Sequence, residues 1–293
     1  MTISESVKLN HNPLAFFANY SSGDPLKISC ILPTRNRCQM TLTAIDSVMR
    51  QRPFQVEIIV VDDGSTDNTV AEVSARFPEI NIVRLNGLGP GQARNAGVEA
   101  SRGDILMFLD SDDLWLANHV QMLLKVLNRG FKVAYGVAQT KNEISGIDFL
   151  IPENGAGIEG DCFHALLRWC FLVPSAMAIT RETFKEVGGF APVSFGEDWM
   201  FFLKLAAQFP FGFAGPEAVT VRRLHRGSLC FLSDKKKLLA IISQMLTVLE
   251  NEPRATMAHY SHFNMLRDWT VDNMAQWSTV QDWYISMQQE KII

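Results

Sequence analysis

The sequence predicts an α/β protein built on an open, mostly parallel sheet with helices on both faces. Two observations carry that expectation. Several short runs are apolar at every position, and segments of helical period separate them. Runs apolar on both faces suit the doubly covered strands of a parallel sheet better than half-exposed antiparallel strands. Strand and helix then alternate from about residue 28 to 135, the pattern of crossover connections in one sheet.

The elements follow in order. Residues 1–26 form a polar lead-in ending in the turn-rich Ser-Ser-Gly-Asp-Pro. Ile28 to Leu32 reads as the first strand, stopped by Pro33, and Glu57 to Val61 as the second, stopped by Asp62-Asp63-Gly64. Asn81 to Leu85, Asp104 to Leu109 and Lys132 to Tyr135 read as the third, fourth and fifth. Helices are expected over Thr41–Arg50, with Leu42, Ile45 and Met49 on one face, and over Asp67–Phe77, with Ser65 or Thr66 as N-cap. Gln92–Ala100 and Leu116–Leu127 repeat the pattern. Ile151 to Gly160, rich in Gly, Pro and Glu, reads as a loop. Phe163–Phe171, Asp198–Phe209 and the amphipathic Lys235–Glu250 read as helices, and so does the tail from Met257, which carries Trp269, Trp277 and Trp283. The expected division is a lead-in (1–26), a main domain (27–232) and a helical C-terminal extension (233–293).

Composition bounds the function. The 293 residues carry 27 Lys+Arg against 31 Asp+Glu, so there is no basic surplus to neutralise a nucleic-acid backbone. With 47% hydrophobic and 20% charged residues the chain is an ordinary globular one, not a disordered one. Five scattered cysteines (Cys30, Cys38, Cys162, Cys170 and Cys230) form no CxxC pair or zinc-like spacing and fit a reducing compartment. The opening residues lack the basic start and apolar run of a signal peptide, and no stretch is long and apolar enough to span a bilayer. The expectation is a cytoplasmic, soluble protein.

Ligands of open α/β sheets bind beyond the carboxyl ends of the strands. Those ends read Pro33-Thr34-Arg35-Asn36, Asp62-Asp63-Gly64-Ser65 and Asp110-Ser111-Asp112-Asp113. Five carboxylates at one sheet edge repel one another unless a cation or hydrogen-bond donors compensate. A divalent metal is the natural compensation, and all-oxygen ligands select Mg²⁺, Mn²⁺ or Ca²⁺ over zinc. Asp-Gly-Ser-Thr is also good turn and cap chemistry. A cap needs one carboxylate, however, and the Asp110–Asp113 run supplies three.

Five motifs in order, Pro33-Thr34-Arg35-Asn36, Val61 to Ser65, Gly91-Gln-Ala-Arg94-Asn95-Ala-Gly97, Asp110 to Asp113 and Gly196-Glu197-Asp198-Trp199, resemble those of the family 2 glycosyltransferases with the GT-A fold. The resemblance spans residues 28 to about 228. It implies a Rossmann-like domain with a nucleotide-binding half (27–115) and an acceptor-binding half (116–232). It further implies that Pro33, Thr34, Arg35 and Asp63 hold the nucleobase, that Arg94 lies near base and diphosphate, and that Asp110, Ser111 and Asp112 contact ribose and metal. Asp112 is the first choice as ligand to Mn²⁺ or Mg²⁺, Asp113 its rival. His225, in Arg222-Arg223-Leu224-His225-Arg226, matches a position where relatives carry a third ligand or a diphosphate contact. Asp198 matches the general base, which implies inversion at the sugar, and Glu197 would orient the acceptor. Trp199 suits either a sugar platform or the core.

The implied partners are a nucleotide-sugar donor, in first place a UDP-sugar, and a glycan, lipid-linked saccharide or other hydroxyl acceptor. The extension, with Lys235-Lys236-Lys237 at its start, suits packing on the main domain or a second subunit, with contact at the inner face of a membrane as the other use. A nucleotidyltransferase would want a Gly-rich loop with Lys or Arg after the first strand, which this chain lacks. A dehydrogenase would want GxGxxG there. A non-catalytic nucleotide-sugar binder or scaffold of the same fold stays open, although it would have little need of Asp198.

Overall fold

The computed structural model describes residues 26–193, 195–229, 236–250, 252–278, 282, 283, 286 and 287. All but the last residue of the expected lead-in, Cys230 and the side chains of Lys235-Lys236-Lys237 lie outside the described residues.

Four strands, β1 (Ile28–Thr34), β2 (Val56–Asp62), β3 (Asn81–Arg84) and β4 (Ile105–Phe108), lie parallel in the order β3-β2-β1-β4, with β3 half-exposed at the edge. Their register decides where the chemistry goes. Thr34 pairs with Asp62, so β1 and β2 end level and release their loops at one edge. Phe108 pairs with Ile31, and Leu109 N–H then reaches the Ile31 carbonyl at 3.0 Å, which brings the Asp110–Asp113 run to the same edge.

Successive strand residues alternate between the two faces. Cys30, Leu32, Val60 and Met107 meet Leu42, Ile45, Val73 and Val120 of α1 (Cys38–Met49), α2 (Thr69–Arg76) and α4 (His119–Leu127). On the other face Ile31, Ile59, Val61 and Phe108 meet Ala93, Leu166 and Phe201 of α3 (Pro90–Ala100), α5 (Phe163–Arg168) and α7 (Glu197–Gln208). Full burial of each large side chain is worth about 1.5–3 kcal/mol. This two-faced hydrophobic pattern is the reason the strands read as buried in the sequence.

Beyond β4 the sheet continues through β8 (Met177–Thr180), β6 (Val133–Asn142), β9 (Phe211–Leu224) and the short β5 (Leu114–Trp115), with β7 (Phe149–Ile151) paired to β6. β8 runs antiparallel to β4 and β6, whereas β6 and β9 are parallel with an irregularity at Tyr135–Ala138. The run expected to stop at Tyr135 thus extends to Asn142, held by β9, and the expected 151–160 loop opens on the end of β7 and a 3-10 turn, Glu153–Gly155. β8 escapes periodicity because it is only four residues long and runs straight into α6 (Arg181–Glu186), whose N-cap Thr180 accepts from Thr183 N–H at 3.2 Å.

The extension forms α8 (Lys236–Glu250) and α9 (Met257–Asn273). Leu238, Ile242, Met245 and Leu249 enter the same core cluster as Phe201 and Phe108, so this part of the chain shares the main domain's core. Trp277 and Trp283 are buried, and Trp283 Nε1–H donates to Thr270 Oγ1 at 2.9 Å, folding the tail back on α9. Among the described residues no helix is long and apolar enough to cross a membrane.

Phe108 is fully buried and rings it contacts include Phe184, Phe190 and Phe201, with centroids 5.4–6.4 Å away. Phe108→Ala is expected to lower unfolding stability by about 3–5 kcal/mol, read from urea unfolding curves. A loss under 1 kcal/mol would show that this cluster does not hold β4 in place.

Candidate active site

The strand-end loops, the start of α3, the Asp110–Asp113 run, the first turn of α7 and the β9 end with its turn line one open cleft of about 2320 Å³. The loops are tied to each other before anything binds. Asn36, at φ 53°, accepts from Thr66 N–H at 2.7 Å through Oδ1, and its own N–H donates to Ser65 Oγ at 2.8 Å. Asp63 takes Leu88 N–H at 2.7 Å and Gly89 N–H at 2.8 Å, one on each oxygen, which fixes the turn into α3. Pro33 and Thr34 are buried in β1, with Thr34 Oγ1 2.7 Å from Thr41 Oγ1, while Arg35 is exposed on the rim.

Arg94 makes the central contact. Its side chain is 4% exposed, and it donates from Nη2 to Asp110 Oδ1 at 2.6 Å and from Nη1 to Glu197 Oε1 at 2.8 Å. The guanidinium also lies over the Phe190 ring, 5.2 Å from its centroid. Phe190 in turn stacks on Phe201 at 4.1 Å. Both terminal nitrogens of Arg94 therefore donate to protein carboxylates, so it bridges the acidic run after β4 to α7 while still lining the cleft. Gly91 makes room for this: a Cβ there would stand 2.9 Å from Glu197 Cγ, tighter than real contacts.

Glu197 and Asp198 open α7, where the helix dipole favours negative charge. Burial pushes the Glu197 carboxyl up to about 7, with the Asp198 charge adding to the rise and Arg94 opposing it. Burial likewise raises Asp198, against the pull of Arg94 and of Trp199 N–H, which donates to Asp198 Oδ1 at 2.7 Å. A raised carboxylate is a stronger base, and this one lines the cleft. Trp199 itself is core: it is 5% exposed and its Nε1–H donates to the Leu166 carbonyl at 2.6 Å.

The acidic run divides by partner. Asp110 holds Arg94, and its N–H donates to Ser175 Oγ at 3.1 Å. Ser111 is 2% exposed. Asp113 is enclosed, accepting from Ser175 Oγ–H at 2.6 Å and from Arg223 N–H at 3.0 Å, one on each oxygen. Burial and the charges of Asp112 and Asp110 push Asp113 up to about 8, against the Ser175 hydroxyl. Asp112 faces the cleft with Oδ2 2.8 Å from Arg37 Nη1 and 3.1 Å from His225 Nε2. Burial opposes its charged form, but the His225 hydrogen bond and the Arg37 charge prevail and hold its carboxyl below the usual range. Arg37 and Ser175 were not singled out from the sequence. Arg37 directly follows the strand-end motif and could have been found there as a cation facing five carboxylates, whereas Ser175 carries no sequence signal.

This edge fits a divalent ion in its donor chemistry. Adjacent ligands of an octahedral ion with bonds of about 2.1 Å stand about 3 Å apart, the separation of Asp112 Oδ2 and His225 Nε2. Among the described residues no cluster of three or more His, Cys, Asp or Glu converges on one point.

A family model described as Glycosyl transferase family 2 matches residues 29–188, more than half of the chain. The chain belongs to glycosyl transferase family 2. An uncharacterized glycosyltransferase of Nostoc sp. (strain PCC 7120 / SAG 25.82 / UTEX 2576) is 32% identical over 179 residues, which cover 57% of this chain and 55% of the relative. WfgD of Escherichia coli, named as a UDP-Glc:alpha-D-GlcNAc-diphosphoundecaprenol beta-1,3-glucosyltransferase, is 32% identical over 135 residues, 44% of this chain and 53% of that protein. The chain spans about half the length of these two relatives. The crystal structure of Staphylococcus aureus TarS 1–349 in complex with UDP-GlcNAc has a TM-score of 0.61 at 20% identity, over 81% of this chain and 70% of that one, a likeness of fold.

In this family 2 chain the first turn of α7 lies beyond the matched span and is seated by the extension. Gly196, at φ 77°, would bring a Cβ within 2.9 Å of Ile241 on α8. Arg94→Met is expected to cost about 3–5 kcal/mol of unfolding stability, because Asp110 and Glu197 are left facing each other's charge without a counterion. Arg94→Lys, which reaches only one of them, should recover part of this. Equal stability of Arg94→Met and wild type in chemical denaturation would remove the bridge from the account.

Proposed function

We propose that the chain transfers a sugar from a nucleoside-diphosphate sugar, a UDP-sugar in first place, to an acceptor hydroxyl with inversion. One observation carries the reading: Asp112, at the end of the fourth strand, and the raised carboxylate Asp198 line the same cleft. Family membership, the UDP-GlcNAc complex of TarS and the UDP-Glc donor in the WfgD name support it.

In this mechanism Asp63 and the rim at Pro33–Arg35 form the nucleobase end, and Asp110 with Ser111 the ribose end. Asp112 and His225 would hold a Mg²⁺ or Mn²⁺ ion, while Asp113, enclosed by Ser175 and Arg223, shapes the run from behind. When bound, the ion neutralises the leaving diphosphate. Asp198 accepts the acceptor hydroxyl proton as that oxygen forms its bond to the anomeric carbon and the carbon–diphosphate oxygen bond breaks. One base on the face opposite the leaving group gives inversion. Arg94 positions this machinery by fixing Asp110 and Glu197, and Glu197 orients the acceptor side. The acceptor is a saccharide hydroxyl, and the lipid-linked saccharide in the WfgD name is the first acceptor class to screen.

Calorimetric titration with UDP, GDP, dTDP and CMP, each with and without Mn²⁺, tests the donor end. UDP is expected to bind with Mn²⁺ and to weaken at least about tenfold in Asp112→Asn, which loses a charged ligand. Failure of all four nucleotides to bind would leave the non-catalytic scaffold as the reading. Asp198→Asn should cut turnover by about 10²–10⁴ while UDP affinity stays within about twofold, as expected for a proton acceptor.

The pH dependence follows from the raised pair. A general base works ionised, so turnover is lost as pH falls through its raised pKa and is retained above it. Because burial raises Asp198, the acid limb is expected at higher pH than for an ordinary aspartate, and Glu197→Gln should move it to lower pH by removing the neighbouring carboxyl. A limb that stays in place in Glu197→Gln would rule out this coupling.

A further inference from the structure

Asp112 Oδ2, the oxygen best placed to meet a divalent ion, already has a cation on it. The Arg37 guanidinium donates to it through Nη1 at 2.8 Å, and through Nη2 the same group donates to the Gly227 carbonyl at 2.9 Å. Arg37 therefore clasps both the acidic run and the turn that carries His225. That turn is fixed from the inside as well. Gly227 N–H donates to His225 Nδ1 at 3.1 Å, and His225 N–H donates to Ser228 Oγ at 3.0 Å. With Nδ1 accepting, the neutral ring carries its proton on Nε2, where it donates to Asp112 Oδ2. A metal at Nε2 needs the opposite tautomer, with the proton on Nδ1, and the Gly227 N–H blocks that while the turn stays in place.

Resting on the metal-assisted reading above, we propose that Arg37 is an internal plug of the cation site. In the metal-free protein it occupies the ion's electrostatic place on Asp112 and, through Gly227, locks His225 in the tautomer that cannot bind metal. Entry of a divalent ion expels the guanidinium from Asp112 and releases the 225–228 turn, so that His225 can move its proton to Nδ1 and offer Nε2. The freed guanidinium stays on the cleft wall, 24% exposed even when clasped, where it can meet the donor diphosphate with two parallel N–H groups. Two other arginines near this point are committed elsewhere. Arg223 is committed to the backbone carbonyl of Asp112 through Nε and to Asp113 through its N–H, and Arg94 is committed to Asp110 and Glu197. Arg37 alone among these three arginines is held by Asp112's side chain.

The proposal makes two predictions of opposite sign for one substitution. Removing the plug should help the bare ion and harm the nucleotide. Mn²⁺ binding to the protein without nucleotide, followed by electron paramagnetic resonance of free Mn²⁺, is expected to tighten at least about tenfold in Arg37→Met, since a unit positive charge beside the site is gone. UDP affinity at saturating Mn²⁺ is expected to weaken about tenfold in the same variant, through loss of the guanidinium–diphosphate contact. Arg37→Lys keeps the charge and should leave bare Mn²⁺ affinity within about threefold of wild type, which separates plugging from a general loosening of the fold. Asp112→Asn should abolish the gain when combined with Arg37→Met. Unchanged or weaker Mn²⁺ binding in a folded Arg37→Met protein overturns the proposal, and so does an equal gain in Arg37→Lys. If neither wild type nor Arg37→Met binds Mn²⁺ while both bind UDP, the plug is overturned and the nucleotide-sugar reading stands. If Mn²⁺ binding follows the predicted pattern but no nucleotide binds, the plug stands and the donor reading fails.

Discussion

The site depends on one buried guanidinium. Arg94 takes a carboxylate from the end of β4 and another from the start of α7, so the donor side and the base side of the cleft share a counterion. At Glu197, which is buried, Arg94 opposes the cost of desolvating the charge. The bridge also sets distance. Asp110 and Glu197 are far apart in sequence, yet each lies within 2.8 Å of the same side chain, and Asp198 follows Glu197 by one residue. The pull of Arg94 on Asp198 is then offset by burial, which leaves a base stronger than an exposed aspartate.

The rest of the edge repeats the theme with different partners. Five carboxylates meet there, and the protein handles each differently. Asp63 is satisfied by backbone N–H groups, Asp113 by a hydroxyl and an amide, Asp110 by Arg94, and Asp112 by Arg37 and His225. Asp62 lies fully buried behind them, taking Ser65 N–H. The groups satisfied by fixed backbone or buried partners are held in one place. Asp112, held by a partly exposed side chain from another loop, is the one whose partner can be exchanged.

Much of this was legible in the sequence, for identifiable reasons. β1, β2 and β4 are apolar on both faces because helices cover both faces, and the acidic runs follow them at once, so strand, edge and carboxylates came as a package. The family motifs placed Asp198 on a helix start. What the sequence did not carry was pairing. Arg94 reads the same on paper whether its guanidinium meets a phosphate or two carboxylates, since only the fold brings Asp110 and Glu197 to it. Arg37 was overlooked because its partner Asp112 is distant in the chain. β8 and β9 were missed for different causes, the one too short for a period to show and the other irregular beside β6.

Gly196 gives the extension a meaning beyond packing. The residue sits at φ 77° with Ile241 pressed where a side chain would begin, so the first turn of α7 and α8 have shapes that were settled against each other. Exchange of segments between family members is therefore constrained at this seam. A donor half can be transplanted across the level ends of β1 and β2 with its loops intact. A new helical extension, however, must travel together with the turn that precedes α7, or the graft will arrive with Glu197 and Asp198 out of place.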